Sequence, residues 1–201
     1  MTHDRMVIAY HGCDERVAAR LLDGEPFRKS RNDFDWLGEG VYFWEYGLDR
    51  ALQFAHEQRT RGKVERPAVV GALLRLGNCF DLMDTRCTAE LSKTFPTFRA
   101  ACELSGRSLP HNGGGTQDRL LRRRDCAVLN FHLNTFKNGD QPYDSVRCCF
   151  VEGDSAFEGS GISTKSHTQV AIRNPGECIL GTFRPFALRQ GSRDLAGRAL
   201  A

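Results

Sequence analysis

Residues 38–55, GEGVYFWEYGLDRALQFA, carry three local instructions in succession. Gly38-Glu39-Gly40 is a permissive lead-in, and Val41 to Trp44 is an apolar run of strand length. Leu48, Ala51, Leu52 and Ala55 then recur at i, i+3, i+4 and i+7, the stripe of an amphipathic helix. A strand follows the glycines where a dinucleotide-binding turn would open a helix, and Phe43 stands where the third glycine belongs. Rossmann chemistry is therefore excluded. Upstream, Val7 to Tyr10 is a second apolar run ending in Tyr10-His11-Gly12, a first strand. Asp14 can cap a helix through Val17, Ala18, Leu21 and Leu22 that stops at Gly24, and Pro26 to Gly40 reads as a polar loop.

Downstream, Ala68 to Leu76 (AVVGALLRL) is almost wholly apolar, as expected of a strand buried on both faces, with Phe80 to Met83 as its neighbour. Residues 88–104 are helical in period despite Pro96, Leu109 to Thr116 is a soft Gly/Pro/Asn stretch, and Gln117 to Leu129 reads as helix. Strands are expected at Val146 to Val151, Thr168 to Asn174 and Cys178 to Phe183, with the Gly/Ser-rich loop Glu152 to Ser166 between the first two. Strands and helices do not alternate regularly, so the pattern predicts an α+β domain over 1–190 with a helical insertion near 84–135. A polar tail at 191–201 is expected to fray.

The chain has 201 residues, 40% hydrophobic and 26% charged, an ordinary globular mix with room for a core without staples. A net charge of +3 is too weak to argue for nucleic acid by itself. No stretch reaches the roughly 20 apolar residues of a membrane span. MTHDRMVIAY lacks the apolar core of a secretory signal, so a soluble, cytoplasmic protein with no membrane partner is expected. The eight cysteines contain no C-x-x-C. They read as small buried hydrophobes in a reducing compartment, with no metal site expected, and Cys148 and Cys149 should face opposite sides of a strand.

Gly113-Gly114-Gly115 precedes Thr116 with no adjacent lysine, so it fails as a Walker loop. Arginines 119, 122, 123 and 124 admit two readings, a track for phosphates or a solvated helix face with Leu120 and Leu121 turned inward. No G-x-S-x-G elbow or Ser-His-Asp order supports hydrolase chemistry.

Tyr10-His11-Gly12 closing one strand, and Gly38-Glu39-Gly40-Val41-Tyr42-Phe43 opening the next before a helix with Ala51, Phe54 and Ala55, resembles the ADP-ribosyltransferase superfamily. Both diphtheria-toxin-like and poly(ADP-ribose)-polymerase-like members share this arrangement. Asn32-Asp33-Phe34-Asp35-Trp36-Leu37-Gly38 is similar to the Asp/Trp/Gly approach to the same strand in diphtheria toxin. The resemblance covers residues 8–58 and returns at 168–184. It implies a split β-sandwich with flanking helices, and NAD as substrate. By the same resemblance His11 would hold a ribose hydroxyl, and Gly12 would offer its backbone to the carboxamide because a Cβ would keep that amide away. Gly40 would belong to the cofactor-binding strand, and Tyr42 would stack on nicotinamide with Phe54 closing the sandwich. A capped strand end for His11 and a core tyrosine for Tyr42 are the plainer alternatives.

The family's third motif is a strand that usually begins with a catalytic glutamate. The matching strand here is Thr168-Gln169-Val170-Ala171-Ile172-Arg173-Asn174-Pro175, with Gln169 in that place. An amide can orient a ribose but cannot serve as a base. Either the reaction needs no strong base, or a substrate group or one of the carboxylates of the preceding loop, Glu152 or Glu158, supplies it on the acceptor side beside Arg119, Arg122 and Arg123. An ordinary polar loop is the plainer alternative.

The resemblance thus implies mono-ADP-ribosyl transfer from NAD to a macromolecule, either protein or RNA/DNA. Small relatives act as bacterial toxins or anti-phage effectors, which brings an inhibitor or antitoxin among the expected partners. A catalytically silent NAD or ADP-ribose binder, an NAD hydrolase and an RNA 2′-phosphotransferase are the alternatives on the same fold.

Overall fold

The computed structural model describes residues 5–114, 121–137 and 141–185. The expected tail at 191–201 and Arg119 lie outside them. In chain order the elements are β1 (Met6–Asp14), α1 (Glu15–Leu22), β2 (Val41–Glu45), α2 (Leu48–Thr60), β3 (Pro67–Arg75), β4 (Cys79–Asp81) and α3 (Thr85–Leu104). There follow β5 (Asn112–Gly113), β6 (Leu121–Arg122), α4 (Arg123–Thr135), β7 (Ser145–Phe150), β8 (His167–Ile172), α5 (Pro175–Cys178) and β9 (Ile179–Phe183). Seven strands make one sheet in the order β4-β7-β8-β2-β1-β3-β9, and β5-β6 form a small ribbon. Only β4 and β7 run parallel in the large sheet. The protein is thus a mixed α+β fold on a large, mostly antiparallel sheet.

Strand alternation divides the apolar residues between two faces. Val7, Ala9, Val41, Phe43, Ala72, Leu74, Val170 and Ile172 form one core, extended by Cys13 and Val70 under Ala18 and Leu21 of α1. On the other face Leu37, Phe80, Val146, Phe150 and Ala171 pack under Leu129 and Leu133 of α4. α3 leans on α4 through Phe98 and Phe131, whose rings meet edge-on at 5.5 Å. Full burial of each such side chain contributes about 1.5–3 kcal/mol. Asp14 caps α1 as expected, accepting from the Arg16 N–H at 3.0 Å.

Three expectations are corrected. The helix expected from Gln117 begins instead at Arg123, after the strand Leu121–Arg122. Its first-turn N–H groups are capped from a distant segment, since Asn112 Oδ1 accepts from Arg124 N at 2.9 Å and from Asp125 N at 3.2 Å. Phe80 does not neighbour β3: β4 lies at the far edge of the sheet, paired with β7. Gly77 (φ +57°) turns the chain there, and Asp144 receives the Asn78 N–H at 2.9 Å while Ser145 Oγ donates to Leu76 O at 2.6 Å. Finally, β3 is buried on both faces only at its centre. Leu73 and its partner across the ladder, Ile8, are each 39% exposed.

All eight cysteines are free thiols, and Cys148 and Cys149 do face opposite ways, one half-buried and one exposed. Burial pushes Cys13 and Cys79 up to about 12, and Cys126 and Cys148 up to about 11, so these thiols are protonated and inert at neutral pH. Among the described residues no three His, Cys, Asp or Glu side chains converge on a metal site, and no helix is long and apolar enough to cross a membrane.

Candidate functional site

The join between β1 and β2 is the weakest in the sheet. β1 pairs with β3 over nine residues, but with β2 only at Ala9↔Glu45 and Tyr10↔Trp44. Beyond Tyr10 the two strands part, and the Tyr42 carbonyl needs another donor. His11 supplies it, with Nδ1 donating to Tyr42 O at 2.8 Å. That bond fixes the proton on Nδ1 and leaves Nε2 as an acceptor. Burial lowers the His11 pKa, partly offset by the bond to Tyr42, so the ring is neutral at pH 7.

A cavity of about 460 Å³ opens at this parting. Its wall includes His11, Gly12, Gly40, Tyr42, Phe54 and Gln169, so the structure brings these expected site residues together. β2 carries Tyr42 and pairs with β8, where Trp44 stands opposite Gln169; this closes a 127-residue gap in sequence. The Tyr42 hydroxyl is committed to structure: it donates to Gly38 O at 2.6 Å and accepts from Leu37 N at 2.9 Å. Its ring remains on the wall. Gly12 is explained by packing, because a Cβ there would overlap the Ala51 carbonyl oxygen of α2 and lie 3.1 Å from the Ala51 carbonyl carbon. The Cβ direction thus points into α2.

Gln169 is buried and its Nε2 lies 3.0 Å from His167 Nε2. His167 Nδ1 faces the Lys165 carbonyl at 2.6 Å, so Nδ1 carries the proton and Nε2 accepts from the Gln169 amide. Burial lowers the His167 pKa, which keeps that ring neutral. The Gln169 amide is thereby oriented with its NH₂ spent on His167 and its Oε1 available to a ligand.

Of the two loop carboxylates, Glu152 is buried and lines the cavity, whereas Glu158 is exposed and stands outside its wall. Arg50 Nη2 reaches both Glu152 oxygens at 3.1 and 3.4 Å, and His167 Nδ1 is 3.8 Å away. Within the arginine run, the described residues Arg122, Arg123 and Arg124 each have a partner. Arg122 lies 3.9 Å over the Trp36 ring, Arg123 pairs with Asp33 at 3.0 Å, and Arg124 donates to Pro110 O at 2.8 Å. Cations nonetheless dominate the cavity wall, with Arg28, Arg50, Arg61, Lys63 and Lys165 against Asp35, Glu57 and Glu152. Such a wall favours an anionic ligand.

Sequence reasoning missed Arg50, His167 and the positioning of Trp36. Arg50 lies four residues before Phe54, on the same helical face, and His167 lies two before Gln169, on the same strand face. Both were reachable from the residues already singled out. Trp36 packs edge-on against Phe150 at 4.8 Å and parallel to His167 at 6.5 Å, a contact between distant segments that no local spacing encodes.

In sequence, the chain is 38% identical over 156 residues to the uncharacterized protein MJ0359 of the archaeon Methanocaldococcus jannaschii. The match covers 75% of this chain and 67% of the relative. The two belong to one family. No family model matches the chain, and no solved structure matches it.

Proposed function

We propose that the protein transfers a single ADP-ribosyl group from NAD to a macromolecular acceptor. What supports this reading is one observation: His11, Gly12, Tyr42, Phe54 and Gln169, drawn from separate segments, line one cavity at the parting of β1 and β2. These are the residues to which the resemblance assigns NAD.

The chemistry suits them. Tyr42 and Phe54 offer aromatic faces to nicotinamide, and His11 Nε2 and Gln169 Oε1 offer acceptors to ribose hydroxyls. Those acceptors would stabilise the positive charge that builds on the ribose as nicotinamide leaves. The cationic wall would receive the dinucleotide's phosphates. With an amide at Gln169, activating a hydroxyl for repeated transfer is disfavoured, consistent with a single addition. Incubation with NAD labelled in its adenylate half plus a cell lysate tests the reading. Nicotinamide release with label retained on macromolecule is expected; NAD left intact refutes it.

The same glutamine favours a second reading, a silent pocket that binds NAD or ADP-ribose without turnover. Binding measured by calorimetry with no nicotinamide released would select it.

A further inference from the structure

We propose that Glu152, held by Arg50, is the carboxylate that receives the acceptor's proton, and that the acceptor is the exocyclic amine of an unpaired nucleobase. This rests on the NAD-transfer reading above.

Among the described residues three carboxylates lie on the cavity wall, Asp35, Glu57 and Glu152. Asp35 is engaged by Asn32, whose backbone N–H reaches Oδ2 at 3.0 Å and whose side chain reaches Oδ1 at 3.2 Å. Glu57 pairs with Lys165 at 3.4 Å. Glu152 lies 3.8 Å from the ring of His167, whose other nitrogen accepts from Gln169, and so stands near the position where the resemblance expects a base. Arg50 holds both oxygens of Glu152, at 3.1 and 3.4 Å, which fixes the carboxylate on the cavity wall as a proton acceptor. An aryl amine fits as the nucleophile, because it attacks with its lone pair and its nitrogen becomes strongly acidic as the new bond forms, so that a carboxylate takes the proton.

The surroundings narrow the amine to a nucleobase. Among the described residues, Nε of Arg50 and Nε1 of Trp44 are buried without a hydrogen-bond partner, and Nη1 of Arg50 has only a 3.7 Å ion pair to Glu57. Arg50 lies over the Trp44 ring at 5.6 Å, so these donors share one corner beside Glu152. Unmet buried donors favour a ligand that brings acceptor atoms to them after a small side-chain adjustment. Adenine, guanine and cytosine present an amine next to ring nitrogen or carbonyl acceptors. Lysine and arginine side chains bring no acceptor, and Arg50 would repel them. Trp36, Trp44 and Phe34 on the wall supply faces for a base, which must leave its duplex to reach a buried corner.

In the reaction the bond from ribose C1′ to nicotinamide breaks, and its electron pair leaves with neutral nicotinamide. The amine lone pair forms the new N–C1′ bond, and the proton shed by that nitrogen passes to Glu152 and then to water.

The test adds adenylate-labelled NAD and the full chain to single-stranded RNA, single-stranded DNA, matched duplexes, uracil-only and thymine-only oligomers, and a nuclease-treated protein extract, following nicotinamide in each. Label on amine-bearing single strands, RNA or DNA, with none on uracil-only or thymine-only oligomers, is expected. Label on protein, on thymine or uracil, or equally on duplex overturns the inference while leaving NAD transfer standing. Absence of nicotinamide release in every arm overturns both. Glu152→Gln should lower transfer to the oligonucleotide by about 100-fold or more. Because that change leaves Arg50 with only its 3.7 Å pair to Glu57, the double variant Arg50→Gln/Glu152→Gln is measured beside it and should lose transfer equally. A folded variant of either kind within a few-fold of the parent refutes the role of Glu152.

Discussion

Replacing Tyr42 by phenylalanine separates the ring of this residue from its hydroxyl. The hydroxyl donates to Gly38 O at 2.6 Å and accepts from Leu37 N at 2.9 Å, closing the turn that leads into β2. Leu37 is 0% exposed, so water cannot replace the lost partner of its N–H. Each buried polar group left unpaired costs about 1–3 kcal/mol, giving about 2–6 kcal/mol for the two. For a chain of this length that corresponds to a fall in Tm of about 4–24 °C. Urea denaturation should show a lower midpoint with an unchanged slope. On the NAD-transfer reading, nicotinamide release per folded molecule should stay within a few-fold of the parent, since the stacking ring is kept, whereas Tyr42→Ala should lose it. A Tm fall below about 2 °C would refute the strut assigned to the hydroxyl. Loss of release in folded Tyr42→Phe would refute ring stacking as the role of Tyr42.

Gly12→Ala should destabilise by about 1–3 kcal/mol, because its Cβ meets the Ala51 backbone of α2. Gly176→Ala, with nothing within 4 Å, should be near neutral in the same thermal melt. His11, His132 and His167 all have pKa values lowered from 6.5, chiefly by burial. Below about pH 6.5 the unfolded chain therefore binds protons before the folded one, and stability falls with pH by up to about 1.4 kcal/mol per unit for each histidine. Urea midpoints should be level between about pH 7 and 8 and decline toward pH 5.5; equal midpoints at about pH 7.5 and 5.5 would refute the burial assigned to these rings. Arg147→Met strands Glu45, which it now holds at 2.6 Å, and leaves Asp81, now 3.3 Å away, with Arg5 alone; it should cost about 3–5 kcal/mol by denaturant titration. Adding Glu45→Met should recover part of that loss.

Local pattern was enough for the elements and for half of the site. Short apolar runs placed β1 and β2, strands were expected where β7 and β8 lie, the 3.6-residue period placed α1, α2 and α3, and Asp14 announced its own cap, because each signal lies within one turn or one strand. Tyr42 and Gln169 were legible as residues near strand starts, whereas His11 was expected to close β1 and the strand instead runs on, paired with β3, to Asp14. Only the tertiary structure decided what lies between them. The start of α4 is set by Asn112, more than ten positions upstream. The far placement of β4 is set by Asp144 and Ser145, more than sixty positions downstream. The choice between Glu152 and Glu158 could not be read from a loop in which both are equally acidic. It was made by Arg50, one hundred and two positions away, which draws one carboxylate into the cavity and has no bond to the other. Periodicity reports which face of an element is buried; pairing between distant segments decides which polar groups meet there, and so where the chemistry sits.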